Sequence, residues 1–244
     1  MLCCLGASAL ALTMKTSSSS AQARIPADPQ VRGTWPLTVA GVRMIDSRIA
    51  LAATEMCRAA YSPYLFHHAM RTFLFGSLIG RARGLQFDDE LLYLASVMHD
   101  LGLTQQFAGD LPFEIQGAEV AKRFLKGQEY SRERAEVVWD GIAMHCLAIG
   151  GYKRPEIALV GEGAGADVLG PDPAEIRKED TAAVLQAFPR LRFKNNFLKT
   201  CADTVAKHPR AAGRTFMRDV AERYVSGFRP RNFCDLLDQA PFEE

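Results

Sequence analysis

The stretch Leu94-Ala-Ser-Val-Met-His-Asp-Leu-Gly-Leu-Thr104 sets an imidazole beside a carboxylate inside a run of core-type residues. Ionisable groups are expensive to bury alone. A chain that folds Val97, Met98, Leu101 and Leu103 inward must therefore bring a partner to His99 and Asp100, and a bound cation is one such partner. Consecutive side chains on a regular helix diverge by about 100°. The pair converges on one ion near a helix end, or else bridges two ions, and Gly102 fits a helix that stops there.

Further ionisable residues lie in apolar surroundings. In Tyr64-Leu-Phe-His-His-Ala-Met-Arg-Thr-Phe-Leu-Phe-Gly76, spacings of three and four put His68, Arg71 and Phe75 on one helical face. His67 points roughly 100° away from that face. Asp167 follows Gly161, Gly163 and Gly165, which recur at every second position of an apolar helical pattern. Each glycine inside a helix costs about 1 kcal/mol relative to alanine, which predicts close approach of another helix or of a ligand. His145, in Trp139-Asp-Gly-Ile-Ala-Met-His-Cys-Leu-Ala148, reads as a second-metal ligand, a substrate-orienting group, a proton shuttle or a hydrogen-bonded core histidine. His208, before Pro209, reads as an exposed loop residue.

The periodicity is helical almost throughout. Val42, Ile45, Ile49, Ala52, Ala53 and Met56 form one stripe in a helix predicted over 39–61. Pro63 opens a second helix that Gly84 closes, and Asp88-Asp89-Glu90 opens a third that runs into His99. Further helices are expected at about 115–126, 131–148, 155–169, 191–207 and 214–227, with Gly150-Gly151 and Pro171 to Pro173 between them. No alternating strand pattern and no internal repeat is visible. The fold class is all-α, one helical bundle domain over 39–244, with 24–38 as a Pro-containing linker.

Lys+Arg 29 against Asp+Glu 28 leaves a formal charge of +1 over 244 residues. That balance gives no footprint for nucleic acid and favours a small-molecule substrate. No apolar run reaches the roughly 18 residues that span a bilayer. Residues 1–23 combine the apolar run Leu2 to Thr13 with an Ala21-Gln-Ala23 segment, as in a secretory signal, although Lys15 follows the run instead of preceding it. Two readings stand: a cleaved leader on an exported or periplasmic protein, and a disordered leader on a cytoplasmic one. Cys57, Cys146, Cys201 and Cys234 are too widely spaced for a disulfide scaffold or a Cys-type zinc motif.

Together these segments resemble the HD-domain superfamily of metal-dependent hydrolases: a His, an adjacent His-Asp, then a distant Asp. Phe66-His-His-Ala-Met-Arg71, Ser96-Val-Met-His-Asp-Leu-Gly102, Phe113-Glu-Ile-Gln-Gly-Ala-Glu119, Ile142-Ala-Met-His145 and Gly163-Ala-Gly-Ala-Asp-Val168 resemble more narrowly its cyanamide hydratase-like branch. By that resemblance, His68, His99, Asp100 and Asp167 are direct ligands of a divalent transition metal, with zinc, iron or manganese all suited to such ligands. The cation is expected to lower the pKa of water and polarise a small nitrile-type substrate, with Asp100 or His145 moving the proton. Phe66, Phe73 and Phe75 are candidates to narrow the pocket, with core packing the role expected of most of them. His67 stands where the branch commonly has Asn, and Cys146 where a small hydroxyl residue is expected; both bear on substrate identity. The competing enzymatic reading is hydrolysis of a nucleotide or small phosphate ester, with Arg71 and Lys153-Arg154 holding the phosphate. A non-catalytic ligand-binding module of the same fold is a third.

Overall fold

The computed structural model describes residues 36–147, 152–213, 215–230 and 232–241. The leader read over 1–23, most of the linker read over 24–38, and Gly150-Gly151 lie outside the described residues.

The described chain is all-α but for one small hairpin. Thr38–Val39 (β1) pairs antiparallel with Val42–Arg43 (β2). This corrects the helix predicted from Val39. Val39 and Val42 are three apart, a helical spacing, but the turn through Ala40 (φ 48°) and Gly41 (φ 76°) makes them a cross-strand pair. A two-residue turn with positive φ at both positions also sets residues three apart side by side. Ser47 then starts the helix proper, its hydroxyl accepting from the Ala50 N–H at 3.3 Å, and α1 runs Arg48–Ala60.

Pro63 takes the first helical position of α2 (Pro63–Ala82), and Gly84 follows its end at φ 66°. Asp88 caps α3 (Asp89–Met98), accepting from the N–H groups of Glu90 and Leu91. There follow α4 (Phe113–Gly127), α5 (Arg132–Met144), α6 (Pro155–Leu169), α7 (Lys178–Ala187), α8 (Phe193–Lys207), α9 (Phe216–Tyr224) and α10 (Phe233–Asp238). Short 3₁₀ turns occur at Leu101–Leu103 and Pro209–Ala212. Two of these helices were not predicted. Only Val184 of α7 is buried and no residue of α10 is, so neither carries an apolar stripe.

Helices α2, α3, α5 and α6 form the core, with α1 against α3, α4 against α5 and α8 against α2. The close approach of α6 to α2 and to the end of α5 explains the recurrent glycines in part. A Cβ on Gly163 would lie 2.2 Å from the carbonyl oxygen of Thr72, and one on Gly161 2.6 Å from that of His145. Gly165 has open space around it, so close packing does not account for it. Cys57, Cys146, Cys201 and Cys234 are free thiols. Among the described residues no helix is long and apolar enough to cross a membrane.

Candidate metal centre

The end of α3 resolves how neighbouring side chains converge. His99 keeps helical geometry (φ −61°, ψ −31°), whereas Asp100 leaves it (φ −101°, ψ 12°). The change of backbone turns the carboxylate towards the imidazole, with His99 Nε2 3.3 Å from Asp100 Oδ2. Packing of α2 on α3 adds His68, whose Nε2 lies 3.2 Å from His99 Nε2 and 3.6 Å from Asp100 Oδ2. All three residues are 1% exposed.

The hydrogen bonds at the far side of each ring determine what these atoms are. His99 Nδ1 donates to the carbonyl of Ser96 at 2.7 Å, and His68 Nδ1 donates to Asp167 Oδ2 at 2.7 Å. With the proton on Nδ1, each neutral ring presents a bare lone pair at Nε2. Burial pushes the His99 pKa down to about 3, so that ring stays neutral at physiological pH. Asp100 Oδ2 is buried without a hydrogen-bond partner, and burial raises its pKa. Two imidazole lone pairs and a buried carboxyl oxygen therefore face one another. A cation removes that repulsion, and the donor set fits one: metal–nitrogen bonds of about 2.0–2.1 Å at a tetrahedral angle put two ligand atoms about 3.3 Å apart.

Rather than joining the cluster, Asp167 lies behind His68, and both its oxygens are engaged. Oδ1 accepts from Arg71 Nε (2.7 Å) and Arg190 Nη1 (2.8 Å); Oδ2 accepts from Arg71 Nη2 (2.7 Å) and His68 Nδ1. Burial alone raises its pKa, but the bonds from His68 and Arg71 hold the carboxyl well below the usual carboxylate range. Arg71 is salt-bridged to the same carboxylate. It is fully buried, two of its nitrogens fork Asp167, and Nη1 donates to the carbonyls of Phe188 (3.0 Å) and Pro189 (3.2 Å). Lys153 is exposed and its Nζ reaches Asp140 at 3.2 Å, at the surface rather than at the cluster.

His145 is the C-cap of α5 and lies edge-on to His99, ring centroids 4.9 Å apart. Its Nδ1 donates to the carbonyl of Ile142 at 2.6 Å, and its Nε2 is 3.3 Å from Cys146 Sγ. Burial and then the neighbouring His99 push its pKa down to about 4. His67, half-buried, turns away to the carbonyl of Pro189 at 2.9 Å. Two of the three aromatics have the core-packing role expected of most of them. Phe73 and Phe75 are core residues at 0% and 1% exposure, and Phe66 lines a separate cavity of about 780 Å³ with Tyr61, His67 and Phe188. The rings next to the cluster are Phe113, Phe193 and Phe197. Phe193 and Phe197 share a face by their spacing of four, but spacing does not say what that face meets.

An all-helical domain that buries two proton-free imidazole nitrogens against an unpartnered carboxylate belongs to the helical metal-binding class. The HD domain profile matches residues 65–186, half of the chain, and the protein belongs to the HD domain family. That superfamily is made up mostly of metal-dependent hydrolases. An uncharacterized protein of Clostridium beijerinckii is 30% identical over 82 residues, 32% of this chain and 52% of the relative. The chain thus spans about half the length of that relative.

Proposed function

We propose that the protein is a metal-dependent hydrolase or hydratase that adds activated water to a small uncharged molecule, a nitrile-type compound such as cyanamide. The observation that carries this reading is the buried convergence of His68 Nε2, His99 Nε2 and Asp100 Oδ2 within 3.2–3.6 Å. Those three residues would hold the ion, and a divalent cation bound there supplies an acidified water and a polarised electrophile. Asp100, its basicity raised by burial, takes the proton that the attacking water loses. His145, neutral with a bare Nε2 beside His99, accepts that proton from Asp100 and hands it to the nitrogen of the substrate, so the proton lost by water ends on the product. Asp167 orients His68 from behind through Nδ1, as carboxylates behind metal-binding histidines do.

Hydration rather than phosphate hydrolysis is supported by where the basic side chains go. Arg71 is consumed by Asp167 and by main-chain carbonyls, and Lys153 by Asp140. The test is metal analysis of purified wild type and His99→Ala, then turnover of cyanamide against a panel of nucleotides and phosphomonoesters with several metals. We expect about one equivalent of transition metal in the wild type, its loss in the variant, and turnover of the nitrile alone. Phosphate release without any turnover of cyanamide would overturn the reading.

A further inference from the structure

Away from the cluster, the C-terminal part of the chain differs from the rest in charge. Seven Lys and Arg residues stand between Lys207 and Arg231 inclusive, against only Asp219 and Glu222, in a chain whose net charge is +1. Part of that excess surrounds a cavity of about 710 Å³. Its walls are the end of α8, the 3₁₀ turn Pro209–Ala212, Arg218 of α9, the segment 225–230 and Leu236 of α10. The volume is that of a site for one small molecule. None of His68, His99 and Asp100 lines it, so it is separate from the cluster.

The lining combines two chemistries. Val205, Ala212, Val225, Phe228 and Leu236 supply apolar surface, while Arg210, Arg218 and Arg229 supply three guanidinium groups. Among the described residues no carboxylate lines the cavity. Arg218 Nε donates to Glu222 at 3.0 Å and Arg229 Nη1 to the carbonyl of Phe228 at 2.9 Å, so each retains further N–H groups to donate. No side-chain hydrogen bond or ion pair engages Arg210 among the described residues. A neutral apolar occupant would desolvate these cations without pairing them, which is costly. A bare anion would leave the apolar walls uncovered. We propose that the cavity binds one amphipathic anion: an oxyanion headgroup, forked by the arginines, on an apolar tail lying against Val205, Phe228 and Leu236. The tail also gives α10 a partner. That helix has six residues and none is buried, and a helix so short is unstable in water without packing.

Isothermal titration calorimetry with decanoate and with decyl phosphate, each below its critical micelle concentration, tests the site. We expect saturable binding of one equivalent, and the tighter of the two distinguishes a fatty acid from a phosphate ester. Hexanoate, with four fewer methylenes, should bind at least about tenfold more weakly than decanoate, and decylamine should not bind. Arg210→Glu and Arg229→Glu, two exposed positions in separate segments, should each weaken binding at least about tenfold. Either variant suffices if the other fails to fold. Arg223→Glu makes the same change of charge at an exposed position of α9 outside the cavity and should match wild type. Equal weakening by Arg223→Glu, or decylamine binding as tightly as decanoate, would overturn the proposal. So would retention on phosphatidylglycerol vesicles without binding of either monomeric anion, which would make this face a lipid contact instead. Absence of saturable binding overturns it outright, and none of these outcomes bears on the metal reading of the cluster.

Discussion

His99 and His145 are built alike: each is the C-cap of its helix, and each donates Nδ1–H to the carbonyl three residues back, Ser96 at 2.7 Å and Ile142 at 2.6 Å. A helix C-terminus favours a charged histidine. Burial outweighs that preference here and leaves both rings neutral, with Nε2 as the reactive atom. The two differ in their neighbours. His99 Nε2 meets His68 and Asp100, while His145 Nε2 meets the thiol of Cys146.

That difference separates holding the ion from moving a proton. His145→Ala is expected to retain wild-type metal content and to lower kcat by about 10²- to 10⁴-fold with little change in KM, the range of a lost proton-transfer group. Metal analysis beside steady-state kinetics checks this. A variant that loses its metal would make His145 a ligand instead.

Asp167→Asn tests the residue behind the cluster. It leaves the buried Arg71 without its anionic partner, and unpairing a buried charge destabilises by about 3–5 kcal/mol. It also removes the charge that orients His68, which predicts metal affinity lowered about 10- to 100-fold rather than abolished. Urea unfolding measures the first effect and metal titration the second. Unmeasurable metal binding in a folded variant would return Asp167 to the ligand set.

The pH dependence of the metal-free protein follows from His99. Its folded pKa, about 3, lies below its ordinary value of 6.5, so the unfolded chain binds the extra proton first. The associated stability is full above about pH 6.5 and falls by about 1.4 kcal/mol per pH unit as acid is added towards pH 3. Asp100, whose pKa is raised, acts in the opposite direction, so the quantity to compare is wild type minus His99→Gln. The unfolding free energy of the wild type minus that of the variant should decrease from pH 7.5 through 6 to 5. Parallel curves would show that His99 is not held neutral.

Two glycines of α6 are expected to respond oppositely to one substitution. Gly163→Ala drives a methyl into the Thr72 carbonyl and should destabilise by about 1–3 kcal/mol as α2 and α6 are forced apart. Gly165→Ala meets open space and should stabilise by up to about 1 kcal/mol through helix propensity. Thermal unfolding of both variants is sufficient, and equal shifts would contradict the close crossing.

His99-Asp100 was legible because buried ionisable groups within an apolar run demand a partner, and α2, α3 and α6 were legible from punctuation by Pro63, Gly84, Asp88 and Pro155. The same periodicity misplaced Val39 and Val42, since a tight turn and a helix both pair residues three apart. Arg71 was rightly put on the face of His68, but a face does not name its partner. That partner, Asp167, lies 96 residues on, and its choice of His68 Nδ1 and Arg71 is fixed by the packing of α6. Helices α7 and α10 bury too little to leave a pattern.

Two imidazole nitrogens and a carboxyl oxygen from α2 and the end of α3 are brought within 3.6 Å of one another only in the folded chain. Whatever cation binds only the folded chain raises its stability with the logarithm of the free ion concentration. The melting temperature is therefore an assay for the ion itself. At equal free concentration the cation that raises it most is the one that the cluster prefers, read without substrate and without knowledge of the reaction.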